Sequence, residues 1–269
     1  REQRGEAPPL TYELARKLVF GKVRQRLGLD RARILATSTA PIARETLDFF
    51  AGLDMPLLEV YGMSECTGPT TLSVPGDYRL GSVGRPIPGT ELTTAADGEI
   101  LMRGPHVFLG YFKNAEATAE ALDAQGWLHS GDVGRVDDDG FVYVTDRKKD
   151  LLITSGGKNV APQNLESRLK LLPVVTQAVA VGDRRKFIAA LVALDPERVA
   201  AEAKAAGSAA TTSEEASRCE LFLAHLMRQV EEKVNPGLAR YESIKKLAIL
   251  PRELSVEEGE LTPTLKVKR

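Results

Sequence analysis

Arg33-Ile34-Leu35-Ala36-Thr37-Ser38-Thr39-Ala40-Pro41, followed by Leu57-Leu58-Glu59-Val60, decides the fold class. A short apolar run, a loop of small residues, a helical stretch over 42–51 closed by Gly52 and a second apolar run read as strand, helix, strand. That order at that spacing predicts a βαβ unit with a parallel strand pair. Ligands in such units sit beyond the carboxyl ends of the strands. The loops 37–41 and 61–65 therefore become the segments of interest.

Upstream, Leu14, Leu18, Val23 and Leu27 recur near helical spacing ahead of Gly28, which predicts a helix. Downstream, residues 69–147 change character. Gly and Pro punctuate short alternating runs, and Gly98 to Gly104 reads as a strand. Asp137-Asp138-Asp139-Gly140 between two apolar runs predicts a hairpin. A small β-rich subdomain with one helix near 115–124 is expected. After the charged junction Asp146-Arg147-Lys148-Lys149-Asp150, the order reads as strand (151–154), Gly loop, helix (163–171), strands (174–181 and 187–194), then helices. The best helix pattern spans 213–234. Thr212 and Glu215 offer a capping box there, Leu223, Met227, Val230 and Val234 a stripe, and Cys219 a packed interior position. The Ala-rich run 199–211 reads as a loosely specified connection.

With 269 residues and 43% hydrophobic content, the chain is long enough for two domains with real cores. Lys and Arg total 36 against 37 Asp and Glu, a formal net charge of -1, which argues against nucleic acid as a partner. Two cysteines, Cys66 and Cys219, exclude a disulfide scaffold and suit a reducing compartment. No apolar run approaches the roughly 18 residues of a membrane span. The chain opens on Arg1 with a polar, Pro-containing stretch, which reads as an internal cut in a longer protein.

Several generic motifs fail. Gly62-Met63-Ser64-Glu65 begins like a nucleophile elbow, but Cys66 stands where Gly is needed. Residues 154–159 look like a phosphate loop, yet Leu152 and Asn159 occupy its required Gly and Ser/Thr positions. His106, His129 and His225 show no zinc spacing. Tyr61-Gly62-Met63-Ser64-Glu65 is more informative. It combines a ring face for a base, close backbone approach, a hydroxyl for phosphate and a hard oxygen for magnesium. Taken alone, the same segment is also an ordinary turn after a strand.

Read together, that segment precedes Gly98-Glu99-Ile100, Gly110-Tyr111, Gly126-Trp127-Leu128-His129-Ser130-Gly131-Asp132, Asp146-Arg147-Lys148-Lys149-Asp150, Ser155-Gly156-Gly157-Lys158-Asn159 and Thr262-Pro263-Thr264-Leu265-Lys266. The ordered series resembles the AMP-forming acyl-CoA synthetases of the adenylate-forming superfamily, and the stretch 155–166 resembles their long-chain fatty acyl branch. The resemblance implies an α/β plus α+β fold. Residues 1–147 would be the C-terminal part of a large nucleotide- and acyl-binding domain with a small barrel-like subdomain. Residues 148–269 would be a small mobile domain.

It also implies roles. Thr39, Ala40 and Pro41 would line the adenine pocket, Tyr61 would stack on the base, Ser64 would contact the α-phosphate and Glu65 would hold magnesium. Asp132 would take the ribose hydroxyls, with Arg147 reaching the same sugar. Trp127 and His129 match family positions, but packing explains them. Lys266 matches the catalytic lysine, although Leu265 replaces the usual preceding Gly and Lys268 is a rival. Gly156 and Gly157 would admit the thiol of coenzyme A, and Lys149 would be the hinge. The implied substrates are ATP, fatty acid and coenzyme A, in the cytoplasm or at a membrane periphery.

The expected fragment lacks the upstream phosphate loop and, by itself, should have negligible ligase activity. A fatty acyl-AMP ligase, an aryl or short-chain acid ligase and a non-catalytic nucleotide-binding module are the alternatives. The absence of a large insertion between Lys149 and the Gly loop favours coenzyme A.

Overall fold

The computed structural model describes residues 10–263 and 266–268 as two compact units divided between Thr145 and Asp146. In the first unit, α1 (Leu10–Ala15), a π turn over Arg16–Phe20 and α2 (Gly21–Arg26) form one helical stretch. It stops before Gly28, whose φ is 70°. Its apolar residues Leu14, Leu18 and Leu27 are exposed.

β1 (Leu35–Thr37), α3 (Arg44–Gly52) and β2 (Leu57–Met63) form the βαβ unit, and Leu35, Ala36 and Thr37 pair in parallel with Leu57, Leu58 and Glu59. β2 runs further than expected, so Tyr61 and Gly62 belong to the strand and not to the loop after it. The reason is β3 (Gly68–Leu72), which returns antiparallel along β2 and supplies partners beyond Val60. The ladder is irregular between Tyr61 and Gly62. A Cβ at Gly62 would lie 1.9 Å from the Gly68 carbonyl oxygen, so only glycine fits. β4 (Arg85–Pro86) completes this sheet in the order β1-β2-β3-β4.

The second sheet has the order β5 (Glu91–Thr94), β6 (Glu99–Arg103), β7 (Leu128–Val136) and β8 (Val142–Arg147). α4 (Ala115–Ala121) is capped by the Asn114 side chain. The expected hairpin closes where Gly140 N–H donates to Asp137 O and Asp137 N–H to Phe141 O, both at 2.9 Å. Val83 N–H donates to Val142 O and Val142 N–H to Gly84 O, lacing the two sheets. Tyr61, Cys66, Ile100, Met102, Leu128 and Val142 form their shared core.

The second unit opens with the hairpin β9 (Leu152–Ile153) and β10 (Asn159–Val160) around the Gly loop, followed by α5 (Pro162–Leu169). β11 (Val175–Val181), β12 (Ile188–Leu194) and, after the remaining helices, β13 (Ile244–Ile249) make a three-stranded sheet in that order. β13 lies parallel to β12, which requires a long crossover.

That crossover corrects the sequence reading twice. The Ala-rich run is mostly helix α6 (Pro196–Ala206). Asp195 caps it by accepting from Glu197 N–H at 3.0 Å, Pro196 takes the first helical position, and Gly207 ends it at φ 69°. Alanine has the best helix propensity, and buried Val199 and Ala203 hold this helix on the core. The 213–234 stretch, in contrast, breaks into α7 (Ser213–Ser217) and α8 (Glu220–Gln229), which continues as a π turn to Val234. Cys219 is the N-cap of α8, not an interior position. Thr212 accepts from Glu215 N–H at 3.2 Å, but the Glu215 carboxylate bonds Thr211, so the box is not reciprocal. The restart at Cys219 sets the phase of the buried stripe: Phe222, Leu226, Val230 and Val234, with Leu223 and Met227 partly buried beside it.

Candidate functional site

In the first unit, three of the expected segments meet. The Ser38 hydroxyl donates to Val60 O at 2.9 Å, fastening the loop after β1 to the residue before Tyr61. Thr39 follows at φ 81°, a left-handed conformation that costs a β-branched residue of order 1–3 kcal/mol and tends to mark functional loops. Ala40 and Pro41 are exposed.

Tyr61 is buried on β2, and its hydroxyl donates to Asp132 Oδ2 at 2.7 Å. Asp132 lies on β7 and is only 5% exposed. The β6–β7 ladder shifts register between Glu99 and Leu101, the kind of irregularity that re-aims side chains beside a site. Glu99 fixes the shift by accepting from Gly131 N–H at 2.9 Å. Two residues 71 positions apart in sequence thus share one hydrogen bond.

Beyond β2, Ser64 and Glu65 sit on a single 3-10 turn, Ser64–Cys66. Ser64 is exposed and Glu65 half-buried. Glu65 Oε1 accepts from the Tyr111 hydroxyl at 2.7 Å. That bond to a carboxylate, reinforced by burial, pushes the Tyr111 pKa above its ordinary value, so Tyr111 stays a donor. Phe108 N–H donates to Glu65 O at 2.8 Å, holding the turn against the segment that carries Tyr111. Among the described residues no cluster of three or more His, Cys, Asp or Glu could hold a metal by itself. Magnesium suits one carboxylate plus substrate phosphates and water, and Glu65 fits that limited role.

Trp127 packs under the Arg103 guanidinium, 4.5 Å from its ring centroid. His129 faces Glu99 and Asp123 at 3.5 and 3.7 Å. Both are accounted for by those contacts.

The second unit carries the remaining expected residues. Arg147 is exposed at its start. Asp146 beside it is 2% exposed and accepts from Arg147 N–H at 2.7 Å, Gln163 N–H at 3.1 Å and the Gln163 amide at 2.8 Å. Asp146 therefore ties the start of this unit to the first turn of α5. Lys149 is exposed on the 3-10 turn Lys148–Asp150.

The Gly loop is held at its base by Thr154. Its N–H donates to Lys158 O at 3.0 Å, and its hydroxyl accepts from Lys158 N–H at 3.1 Å. Ser155 N–H donates to Arg185 O and Arg184 N–H to Ile153 O, zipping this loop to the one before β12. The two loops present Lys158, Arg184, Arg185 and Lys186, all exposed. A Cβ at Gly156 would meet only Thr154 Oγ1, at 3.9 Å, and one at Gly157 nothing within 4 Å, although Gly157 has φ 72°.

Lys266 is exposed on a short bridge where Leu261 pairs with Val267. Thr262 N–H donates to Lys266 O at 2.7 Å and Lys266 N–H to the Thr262 hydroxyl at 3.0 Å. Leu265, at the family's usual glycine position, lies outside the described residues, as do Thr264 and Arg1. The sequence reading missed Asp146 and Tyr111 as site-builders. Both stood inside quoted motifs, but their contacts lie 17 and 46 positions away.

Residues 7–112 match the family described as AMP-binding enzyme, and residues 149–269 match the AMP-binding enzyme C-terminal domain. The chain is 42% identical to the long-chain-fatty-acid–CoA ligase ACSBG2 of Gallus gallus, over 97% of this chain and 37% of that protein. It is equally 42% identical to the long-chain-fatty-acid–CoA ligase FadD15 of Mycobacterium bovis, over 94% of this chain and 42% of the relative. It thus spans about 40% of the length of such relatives.

Among solved structures, an O-succinylbenzoate coenzyme A synthetase from Bacillus subtilis, in complex with ATP and magnesium, matches with TM-score 0.61 at 27% identity. That match covers 82% of this chain and 43% of the synthetase. The A domain of a carboxylic acid reductase from Segniliparus rugosus, in complex with AMP, shares the fold at TM-score 0.70 and 23% identity, over 96% of this chain and 43% of that one.

Proposed function

Since the chain belongs to the AMP-binding enzyme family, we propose that it carries the adenylate-holding and thiol-admitting parts of a long-chain fatty acid–CoA ligase. The observation that carries this reading is the bond between Tyr61 and Asp132, flanked by the Ser38–Pro41 loop and the Ser64–Glu65 turn. An adenylate needs a ring face, a diol acceptor and a hydroxyl near phosphate, and these segments supply all three. Relatives at 42% identity support the long-chain substrate.

The reaction has two steps. A fatty acid carboxylate oxygen attacks the α-phosphorus of ATP, and pyrophosphate leaves. The thiol of coenzyme A, giving up its proton, then attacks the acyl carbon, and AMP leaves. Tyr61 holds the base and, through its hydroxyl, keeps the Asp132 carboxylate turned toward the ribose. Ser64 donates to the α-phosphate. Glu65, oriented by Tyr111, would hold magnesium, which supplies charge neutralisation at the phosphates when bound.

Lys266 stabilises charge that grows as carboxylate meets phosphate, an effect of a few kcal/mol when preorganised. The Gly156–Gly157 loop gives the thiol a path without side chains, and Lys158, Arg184 and Arg185 beside it offer cations to the phosphates of coenzyme A. One small unit serves two steps by turning about the segment containing Lys149, since Lys266 and the Gly loop are needed at one adenylate at different times.

The test is a split of half-reactions in an active ligase carrying this sequence. Lys266→Ala should lower acyl-adenylate formation by at least about 10²-fold and leave thioester formation from supplied acyl-adenylate near its original rate. Gly156→Trp should do the reverse. Equal losses in both steps for both variants would refute the two-step division.

A further inference from the structure

Helices α6 and α8 meet at three polar side chains that the ligase chemistry does not use. Glu202 projects from α6. His225 and Gln229 stand four residues apart on α8, one turn along the same face. His225 Nε2 lies 2.7 Å from Glu202 Oε1, and the Gln229 amide nitrogen touches that same carboxylate oxygen. The amide nitrogen also lies 2.8 Å from His225 Nε2. The three atoms form a closed triangle in a half-buried seam, with the His225 and Glu202 side chains 18% and 21% exposed.

With Glu202 ionised, no placement of hydrogens satisfies all three edges. A carboxylate only accepts, so His225 must carry its proton on Nε2 and Gln229 must aim its NH2 group at Glu202. Those choices set N–H against N–H along the third edge. Turning the amide over relieves that edge but brings two oxygens together. Moving the imidazole proton to Nδ1 leaves the carboxylate facing a lone pair.

One cation at the centre removes every conflict. We propose that Glu202, His225 and Gln229 bind a divalent transition metal of the zinc, nickel and copper group, pinning α6 to α8. His225 gives the Nε2 lone pair with its proton on Nδ1, Glu202 a carboxylate oxygen and Gln229 its carbonyl oxygen after an amide flip. An imidazole in the set favours these metals over magnesium or calcium. Ligand atoms at 2.0–2.2 Å from zinc stand about 3.4 Å apart, so the edges open by between about half an ångström and one ångström, within reach of three long side chains. Lys233 Nζ, 3.4 Å from Gln229 Oε1, is exposed and turns to solvent when the amide reverses. Water completes the coordination from the open side.

The test is calorimetric titration of the 269-residue chain with zinc and nickel chlorides in chelator-free buffer, with parallel thermal unfolding. One equivalent should bind and raise Tm. His225→Asn and Glu202→Gln should each weaken binding at least about tenfold, while His129→Asn, in the first unit, leaves it unchanged. Gln229→His should tighten binding, which keeps the test decisive even if the loss variants fold poorly. Failure of the folded chain to bind, unchanged affinity in His225→Asn, no gain in Gln229→His, or magnesium binding as tightly as zinc would each overturn the proposal.

Discussion

Replacing Gly62 with Ala places one methyl group directly against the backbone of β3. The new carbon would stand 1.9 Å from Gly68 O, 2.7 Å from Gly68 C and 2.9 Å from Pro69 Cα. All three are backbone atoms, so no side chain can swing away. A comfortable carbon–oxygen contact is about 3.3 Å, so the strands must part locally by over an ångström. Such overpacking typically costs about 1–3 kcal/mol, occasionally more, and the parting also shifts Tyr61 on one side and Ser64 on the other. For a unit of this size, 1 kcal/mol corresponds to roughly 2–6 °C in Tm, so the first unit should melt several degrees lower.

Gly156→Ala is the matched control. Its nearest neighbour would be Thr154 Oγ1 at 3.9 Å, without positive φ, so stability should stay within about 0.5 kcal/mol. Hydrogen exchange followed by mass spectrometry resolves the two units separately. Equal protection of residues 57–72 in Gly62→Ala and the parent, or an equal loss in both variants, would refute the steric argument.

Burial pushes the Glu59 carboxyl to about 7, against the pull of the Gly81 N–H and Arg44. The folded state therefore binds this proton more tightly than the unfolded chain does. The contribution of Glu59 to stability is fully present below the unfolded value near 4.5 and is lost as pH rises to about 7, with solvent screening holding it below roughly 3 kcal/mol. Glu59→Gln should flatten that slope in urea unfolding between pH 5 and pH 8, and an unchanged slope would exclude Glu59 as its source. Tyr61→Phe keeps the ring and removes the donor to Asp132. A hydrogen bond to a charged group contributes about 1.5–3 kcal/mol, so denaturant midpoints should drop accordingly, and an unaltered midpoint would show the bond to be dispensable. Asp195→Ala removes the cap of α6 and should cost about 1 kcal/mol, read from the melting of the second unit.

The βαβ unit was legible because β1 and β2 are short apolar runs at fixed distance from a helix pattern. The hairpin at Asp137–Gly140 was legible because its turn chemistry is local. What the sequence concealed depends on partners far along the chain. β2 extends through Met63 only because β3 pairs with it, and Tyr61 meets Asp132 across 71 positions. α6 looked like a connection because alanine carries little hydrophobic contrast, yet the caps Asp195 and Gly207 were readable in the sequence. The break before α8 was harder to see, since the residues around Cys219 would also continue a helix. Of the candidate site, the residue types came from motif order, while the roles of Tyr111 and Asp146 came only from contacts.

Calorimetric titration of the chain with AMP bears most directly on the adenylate site. Asp132→Asn should weaken AMP binding ten- to hundredfold, corresponding to about 1.5–3 kcal/mol for a charged hydrogen bond, with the fold verified by hydrogen exchange. Binding of equal affinity in the folded Asp132→Asn variant would contradict the assignment of Asp132 to the nucleotide.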